Sequence, residues 1–219
     1  MPGALVLPLL VPLFLLPADW NESLPQTRAF SSAGYEAIVR TPEVTVHKDQ
    51  AARTVRLGAD ARVAAPAEAV LAALIDYEGQ VGVMGNLAEC RVLSRGQGWQ
   101  LAYERIRMPV VSDRDFTVRV TWGREGSLRW LRYWNDESSG QPPRKGLVRV
   151  PYHRGSWQLL PVENGRATQI RYQVSIDLGG WLPRWIARRS AGKEVQEMFR
   201  SLCTLLARRG QRAAPCLLR

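Results

Sequence analysis

The chain has 219 residues, which suits one domain with a substantial core plus a leader and is too short for two ordinary domains. Lysine and arginine outnumber aspartate and glutamate by 30 to 20, so the net charge is +10, and residues 181–219 carry +7 of it. That basic end could meet anionic lipid headgroups or nucleic acid, or be a solvated helix face. The sequence has no phosphate-binding glycine loop, nucleophile elbow or cysteine pair with metal-ligand spacing, which excludes the enzyme classes that depend on them.

Residues 3–16 form an uncharged apolar run, GALVLPLLVPLFLL, which is shorter than the roughly 20 residues that span a bilayer. Such a run is typical of an export signal, with Ala18 as the best candidate for the last residue removed. The sequence therefore predicts a signal peptide over residues 1–18 and an exported, periplasmic or secreted protein. An uncleaved membrane anchor and a misassigned start codon are the alternatives. A linker or short segment at 19–39, a domain at 40–209 and a basic tail at 210–219 are predicted to follow.

Strand patterns dominate the middle of the chain. Residues 44–47 and 53–63 alternate apolar and polar side chains, whereas Pro66 followed by good helix formers predicts a short helix over 66–75. A glycine-rich loop then leads to a strand at 90–94. Turn signals separate five more predicted strands at 99–107, 115–122, 128–134, 146–161 and 168–178, and Asn164-Gly165 is the strongest hairpin signal among them.

Residues 182–209 are predicted to form one long amphipathic helix, preceded by Gly179-Gly180. Its apolar residues recur at three- and four-residue steps, at Val195, Met198, Phe199, Leu202, Leu205 and Leu206. After many antiparallel strands, a single long helix can bury this stripe by lying across the concave face of the sheet. The predicted fold class is α+β, a helix-grip fold in which a curved antiparallel sheet wraps around the C-terminal helix and leaves an internal hydrophobic cavity.

His47 and His153 are the two histidines, and neither has a carboxylate or cysteine nearby at a suggestive spacing. We therefore expect surface or hydrogen-bonded histidines and predict no catalytic residue, no metal site and no cofactor.

The triplet Asp113-Arg114-Asp115 stands at the entry to a predicted strand. One interpretation is a structural turn in which Arg114 holds both carboxylates. The other is that Arg114 or Arg119 places one fixed charge or hydrogen-bond donor in an otherwise apolar cavity.

Three segments together resemble a known family: PVVSDRDFTVRV at 109–120, GLVRVPYHRGSWQLLPVENGRATQIRYQVSIDLGG at 146–180, and WLPRWIARRSAGKEVQEMFRSLCTLL at 181–206. They are similar to the START, or steroidogenic-acute-regulatory-related lipid-transfer, domain of the helix-grip SRPBCC superfamily, and most of all to its bacterial members. The likeness covers about residues 40–207. It implies a sheet curled around a tunnel that the C-terminal helix closes and that holds one lipid or other hydrophobic molecule.

The helix-facing positions supply the candidate ligand-binding residues, although each of them taken alone is more typical of ordinary core, and the argument for a cavity rests on the fold. They are Leu101, Tyr103, Phe116, Val118, Ile170, Tyr172, Val174, Met198, Phe199 and Leu202. Arg114 is predicted to organise the polar end of the ligand, directly or through Asp113 and Asp115.

Trp181 and Trp185, beside Arg188 and Arg189, are candidates for docking on an anionic membrane. The leading functional prediction is a monomeric, non-enzymatic carrier of a lipid or other hydrophobic molecule. The alternative is an enzyme of the polyketide cyclase/aromatase type with a similar cavity. Nucleic-acid binding ranks last, because the basic residues share a helix with a buried stripe and form no recognised motif.

Overall fold

The computed structural model describes residues 34–41, 44–49, 54–139, 141–181 and 191–211, and within these ranges the chain forms ten strands and two α-helices. The strands are β1 (Tyr35–Arg40), β2 (Val44–Asp49), β3 (Val55–Val63), β4 (Leu87–Gly96), β5 (Trp99–Ile106), β6 (Arg114–Glu125), β7 (Leu128–Asn135), β8 (Val148–Arg149), β9 (Tyr152–Val162) and β10 (Ala167–Asp177). The helices are α1 (Ala67–Ile75) and α2 (Ala191–Arg208), and short 3-10 turns lie at Glu78–Gln80 and Glu137–Ser139.

All ten strands belong to one sheet with the order β1-β2-β3-β10-β9-β7-β6-β5-β4, and β8 pairs with β6. Every pairing is antiparallel except that of β8 with β6. Buried apolar residues of the sheet form one core with those of α1 and α2. The predicted helix-grip fold is therefore confirmed.

The apolar stripe of α2 is buried as its spacing predicts. Phe199 and Leu202 are at most 2 % exposed, and Leu206 has no exposed surface. On β10, Ile170, Tyr172 and Val174 lie in the same core. Residues 182–190 of the predicted helix lie outside the described residues, as do residues 1–33 and 212–219. No helix in the described part of the chain is both long and apolar enough to cross a membrane.

Two strand predictions differ from the structure. β1 lies inside the segment predicted as a linker, because it is an edge strand whose side chains are half-buried or exposed and give a weak pattern. The predicted strand 146–161 is two strands, β8 and β9, separated by Pro151, which has no N–H to donate to a ladder. Just before it, the Val150 N–H donates instead to the Asp115 carbonyl at 3.0 Å.

Candidate ligand-binding cavity

A cavity of about 270 Å³ lies between the sheet and α2. Strands β5, β7, β9 and β10 form one wall, and α1, the loop after it and α2 form the others. The apolar lining residues are Leu74, Met84, Leu87, Ile106, Leu131, Trp157 and Met198. The polar side chains of the lining belong to Tyr77, Gln80, Asn86, Glu104, Tyr133, His153, Tyr172, Glu194 and Glu197. Glu194 and Glu197 are exposed, so the cavity reaches solvent along α2.

The alternation of β5 places Glu104 on the concave face. Glu104 pairs with Phe116 of β6 in the antiparallel register, and Ala102 pairs with Val118. Because directly opposed residues in such a ladder share a face, and Ala102, Phe116 and Val118 belong to the core, Glu104 points to the same side. A single carboxyl group therefore stands among apolar residues on the inner face of the sheet.

Burial raises the pKa of Glu104 to about 8. The cause is desolvation, which disfavours the charged form of a carboxyl group that no cation compensates. None of the described residues donates a hydrogen bond to this carboxyl group or forms an ion pair with it. Glu104 is thus a largely protonated acid near neutral pH, and it is half-buried because it borders the cavity.

Neutral hydroxyl groups and a neutral imidazole surround this acid. The Tyr133 and Tyr172 hydroxyl oxygens lie 3.1 Å apart, and burial raises the pKa of Tyr172 to about 12. The His153 ring packs edge-on against Phe116, with 4.9 Å between centroids, and burial lowers the pKa of His153 to about 4. Its Nδ1 atom is buried and has no hydrogen-bond partner among the described residues. Burial also raises the pKa of Tyr77 well above its ordinary value.

Two of the ten apolar and aromatic residues predicted to bind ligand, Tyr172 and Met198, line the cavity. Six others are core residues that do not border it: Phe116, Val118, Ile170, Val174, Phe199 and Leu202. Phe199, for example, packs edge-on against Trp157 with 5.7 Å between ring centroids. These six pack in the same core as the residues that line the cavity.

Leu101 and Tyr103 lie on the opposite, outer face of β5, so the prediction that they line the cavity is wrong. Tyr103 is 1 % exposed because the guanidinium groups of Arg91 and Arg144 lie over its ring, at 5.2 and 5.6 Å from the centroid. Its hydroxyl group lies 3.2 Å from Asp115 Oδ2 and donates to it. Arginine side chains can cover an aromatic ring as completely as a hydrophobic core does, and residue type alone therefore pointed to the wrong face.

The charged triplet is structural, but its arginine holds neither carboxylate. Asp115 accepts hydrogen bonds from Arg149 Nε at 3.0 Å and Nη2 at 3.2 Å, and Asp113 accepts one from Arg105 Nη1 at 2.7 Å. Arg114 is 1 % exposed and does not line the cavity. Its predicted role at the polar end of a ligand is therefore not supported by its position.

Arg114 instead stabilises the turn that follows β10, at residues 178–181. Its guanidinium donates to the carbonyl oxygens of Leu178 at 3.3 Å, Gly179 at 3.2 Å and Trp181 at 3.4 Å. The turn needs its two glycines, because both have positive φ, 63° and 60°, and a Cβ on Gly179 would lie 2.8 Å from the Pro151 ring. The Arg114 side chain and the Gly-Gly dipeptide form one structural unit.

Of the predicted membrane-docking residues, Trp181 is described and is 77 % exposed. Trp185, Arg188 and Arg189 lie outside the described residues. Val110 is 79 % exposed and lines the same surface groove as Trp181.

Sequence reasoning missed the residues that give the cavity its polarity, Glu104, Tyr77, Tyr133 and His153. The signal for Glu104 was present, since it sits between Ala102 and Ile106 at the even positions of the strand, opposite the apolar positions of the next strand. A lone acid in such a set is the pattern of a buried functional group.

Residues 63–203 match the family described as "Polyketide cyclase / dehydrase and lipid transport". An uncharacterised protein of Pseudomonas aeruginosa is 31% identical over 113 residues, which cover 51% of this chain and 55% of that protein. The mitochondrial steroidogenic acute regulatory protein of Gallus gallus is 27% identical over 149 residues, 65% of this chain and 53% of that protein. The chain thus spans about half the length of the curated relatives it matches.

Among solved structures, a STAR-related lipid transfer protein of Xanthomonas axonopodis has the same fold, with a TM-score of 0.72 and 23% identity over 80% of this chain and 99% of that chain. The Zhui aromatase/cyclase of Streptomyces has a TM-score of 0.55 and 15% identity over 74% of this chain and 99% of that chain. The predicted START resemblance is confirmed, and this chain belongs to the polyketide cyclase / dehydrase and lipid transport family.

Proposed function

We propose that the protein is a carrier that binds one lipid or other hydrophobic molecule in the cavity beneath α2. The observation that carries this proposal is the cavity itself, about 270 Å³ of space lined by apolar and aromatic side chains. This volume is close to the lower end of the roughly 300–1,000 Å³ typical of ligand pockets, so it suits a compact or single-chain ligand. Burial of apolar ligand surface contributes roughly 25 cal/mol per Å², so such a ligand needs no special chemistry to bind.

The relatives support the same proposal. The names of several similar proteins refer to lipid transfer or steroidogenic regulation. Transfer between membranes is part of the proposal, because a cavity that reaches solvent beside one helix can exchange its contents there.

A cavity-filling substitution tests the proposal. Met198 borders the cavity from α2, whereas Phe199 is packed in the core, so Met198→Trp is the variant that should fill the space. We expect it to weaken the binding of a fluorescent single-chain lipid by about tenfold or more, because overpacking commonly costs about 1–3 kcal/mol. Mass spectrometry of molecules extracted from the purified protein would identify a natural ligand.

Leu160→Trp is the matched control, because Leu160 is 43 % exposed and places the same new ring on the outer face of β9. It should bind the probe as the parent does. If Met198→Trp and the parent bind equally, or if the parent binds no sterol, fatty acid, alcohol, amine or phospholipid, the carrier proposal is wrong.

A cyclase-type enzyme is the second candidate function, and Glu104 is the observation that favours it. A carboxyl group with a pKa of about 8 can act as a general acid or base near neutral pH. In that case a poly-ketone substrate should cyclise and lose the mass of one water, and Glu104→Gln should abolish the change. Recovery of the substrate unaltered after incubation with the parent protein would leave the carrier proposal in place.

Export is also a proposal. It is supported by the apolar run at residues 3–16, which is typical of an export signal. Intact-mass measurement of the protein recovered from its native host should show a chain that begins near Asp19. A protein that retains residues 1–17 would contradict cleavage.

Contact with an anionic membrane is a further proposal, supported by the exposed Trp181 and Val110 and by the positive charge of residues 181–219. Because such charges act through a screened field, binding to vesicles that contain phosphatidylserine should weaken steeply with salt. Trp181→Ser should weaken it further, whereas equal binding to neutral vesicles would refute the electrostatic part.

A further inference from the structure

The described side chains around the cavity that can carry a charge near neutral pH are all acidic. Glu104 lies inside it, and Glu194 and Glu197 line it from α2. Among the described residues, no lysine or arginine lines the cavity. His153 is neutral near pH 7, since burial lowers its pKa to about 4. A negative group that entered the cavity would therefore meet no protein cation.

Glu104 is a polar group on the cavity wall whose hydrogen bonding a ligand could complete. It stands on the concave face opposite Phe116, and none of the described residues donates a hydrogen bond to it. The nearby Tyr133 and Tyr172 hydroxyl groups are 3.1 Å from each other and form their own hydrogen bond. A buried polar group without a partner costs roughly 1–3 kcal/mol, and a ligand that supplies the partner recovers this energy.

We infer that the cavity selects hydrophobic molecules whose polar end donates a hydrogen bond, an alcohol or an amine, and rejects those that end in a carboxylate or phosphate. This inference rests on the carrier function proposed above. A donor would complete the hydrogen bonding of Glu104. An anion would lose its hydration in the cavity and would find no cation among the described lining residues to pair with, which makes its burial costly.

The two donor classes differ in how their binding depends on pH. An amine binds as an ammonium ion and pairs with the Glu104 carboxylate, so Glu104 must release its proton to solvent. The affinity of the protein for the amine should therefore rise with pH by up to about tenfold per unit, as long as the pH is below the Glu104 pKa of about 8. An alcohol needs no proton release, and its affinity should be nearly constant there. The other titratable groups around Glu104 are Tyr77, Cys90, Tyr133, His153, Tyr172, Glu194 and Glu197.

Three probes with one apolar tail test the inference: decan-1-ol, decylamine and decanoate, each competing with a fluorescent single-chain lipid. At about pH 7 the alcohol or the amine should compete at least tenfold better than decanoate. The Glu104→Gln side chain has the same size but cannot ionise. In this variant the affinity for decylamine should no longer depend on pH, and decanoate should compete better relative to decylamine than it does in the parent. Glu125→Gln, at the exposed end of β6 and outside the cavity lining, should keep the order of the parent.

Equal competition by all three probes, or a preference for decanoate, would overturn this inference and leave the carrier proposal intact. Failure of every probe and of the fluorescent lipid to bind would overturn both. Thermal unfolding of each variant at the same pH shows that a loss of discrimination does not reflect a loss of fold.

Discussion

Neighbouring strands hold two buried carboxyl groups in opposite situations. On the outer face, Asp115 of β6 is fully buried and accepts hydrogen bonds from Arg149 and Tyr103. On the concave face, Glu104 of β5 borders the cavity and has no protein partner in the described part of the chain. The first carboxyl group is part of the architecture that holds the sheet. The second is the carboxyl group to which we assign ligand selection, and the two differ in whether the described part of the protein supplies a partner.

Removal of the arginine partner should produce the largest effect. Arg149→Met would leave Asp115 buried with the Tyr103 hydroxyl group as its remaining side-chain partner, so we expect the free energy of unfolding to fall by about 3–5 kcal/mol. Urea unfolding followed by tryptophan fluorescence measures it.

Arg144→Met is the matched control on the same face. Its ion pair with Glu89 is 2.9 Å long, but half of the Arg144 side chain is exposed, so the loss should be much smaller than that of Arg149→Met. Equal losses in the two variants would show that burial of Asp115 does not set the energy.

The second effect is a pH dependence that comes from Glu104. Because its folded-state pKa is raised to about 8, the native state holds a proton that the unfolded state releases above its ordinary pKa. The stability contribution is therefore full below about pH 4.5 and is lost as the pH rises to about 8, by at most about 1.4 kcal/mol per pH unit. Glu104→Gln should remove this slope.

The measurement is the free energy of unfolding from urea titrations across this pH range, with Glu197→Gln as the exposed control. A parent protein whose stability is flat between about pH 5 and 8 would mean that Glu104 is not desolvated in the folded state.

The smallest effect should come from His153, whose folded-state pKa is lowered to about 4. Here the native state binds fewer protons than the unfolded state, so its contribution is full above about pH 6.5 and is lost as the pH falls toward 4. His153→Phe keeps a ring next to Phe116 and should lessen the acid-side decline. Thermal unfolding of parent and variant between these pH values checks it, and identical curves would contradict it.

Much of the fold could be predicted from the sequence, because the alternation of β10 and the apolar steps of α2 are strong, local signals. Pro66 before α1 and Asn164-Gly165 in the β9–β10 hairpin are equally local. β1 was missed because an edge strand buries little. The division of 146–161 into β8 and β9 depends on the hydrogen bond from the Val150 N–H to the Asp115 carbonyl, which lies far away in the sequence.

The site was harder to predict, because face assignment in a sheet depends on register rather than on residue type. Tyr103 was predicted to line the cavity, yet the register with β6 places Glu104, and not Tyr103, on the concave face. Arg114 was recognised as important, but three of its four backbone carbonyl partners are more than 60 residues away, which no local pattern reveals.

The position of β10 also has a consequence for how the chain folds as it is made. β10 is the last strand of the described chain to be synthesised, and it lies between β3 and β9 near the middle of the sheet. A nascent chain that ends before Ala167 therefore holds two groups of strands, β1 to β3 and β4 to β9, each with an open edge where β10 belongs. Non-local pairing of this kind is slow. The sheet is thus completed only after most of the chain has left the ribosome.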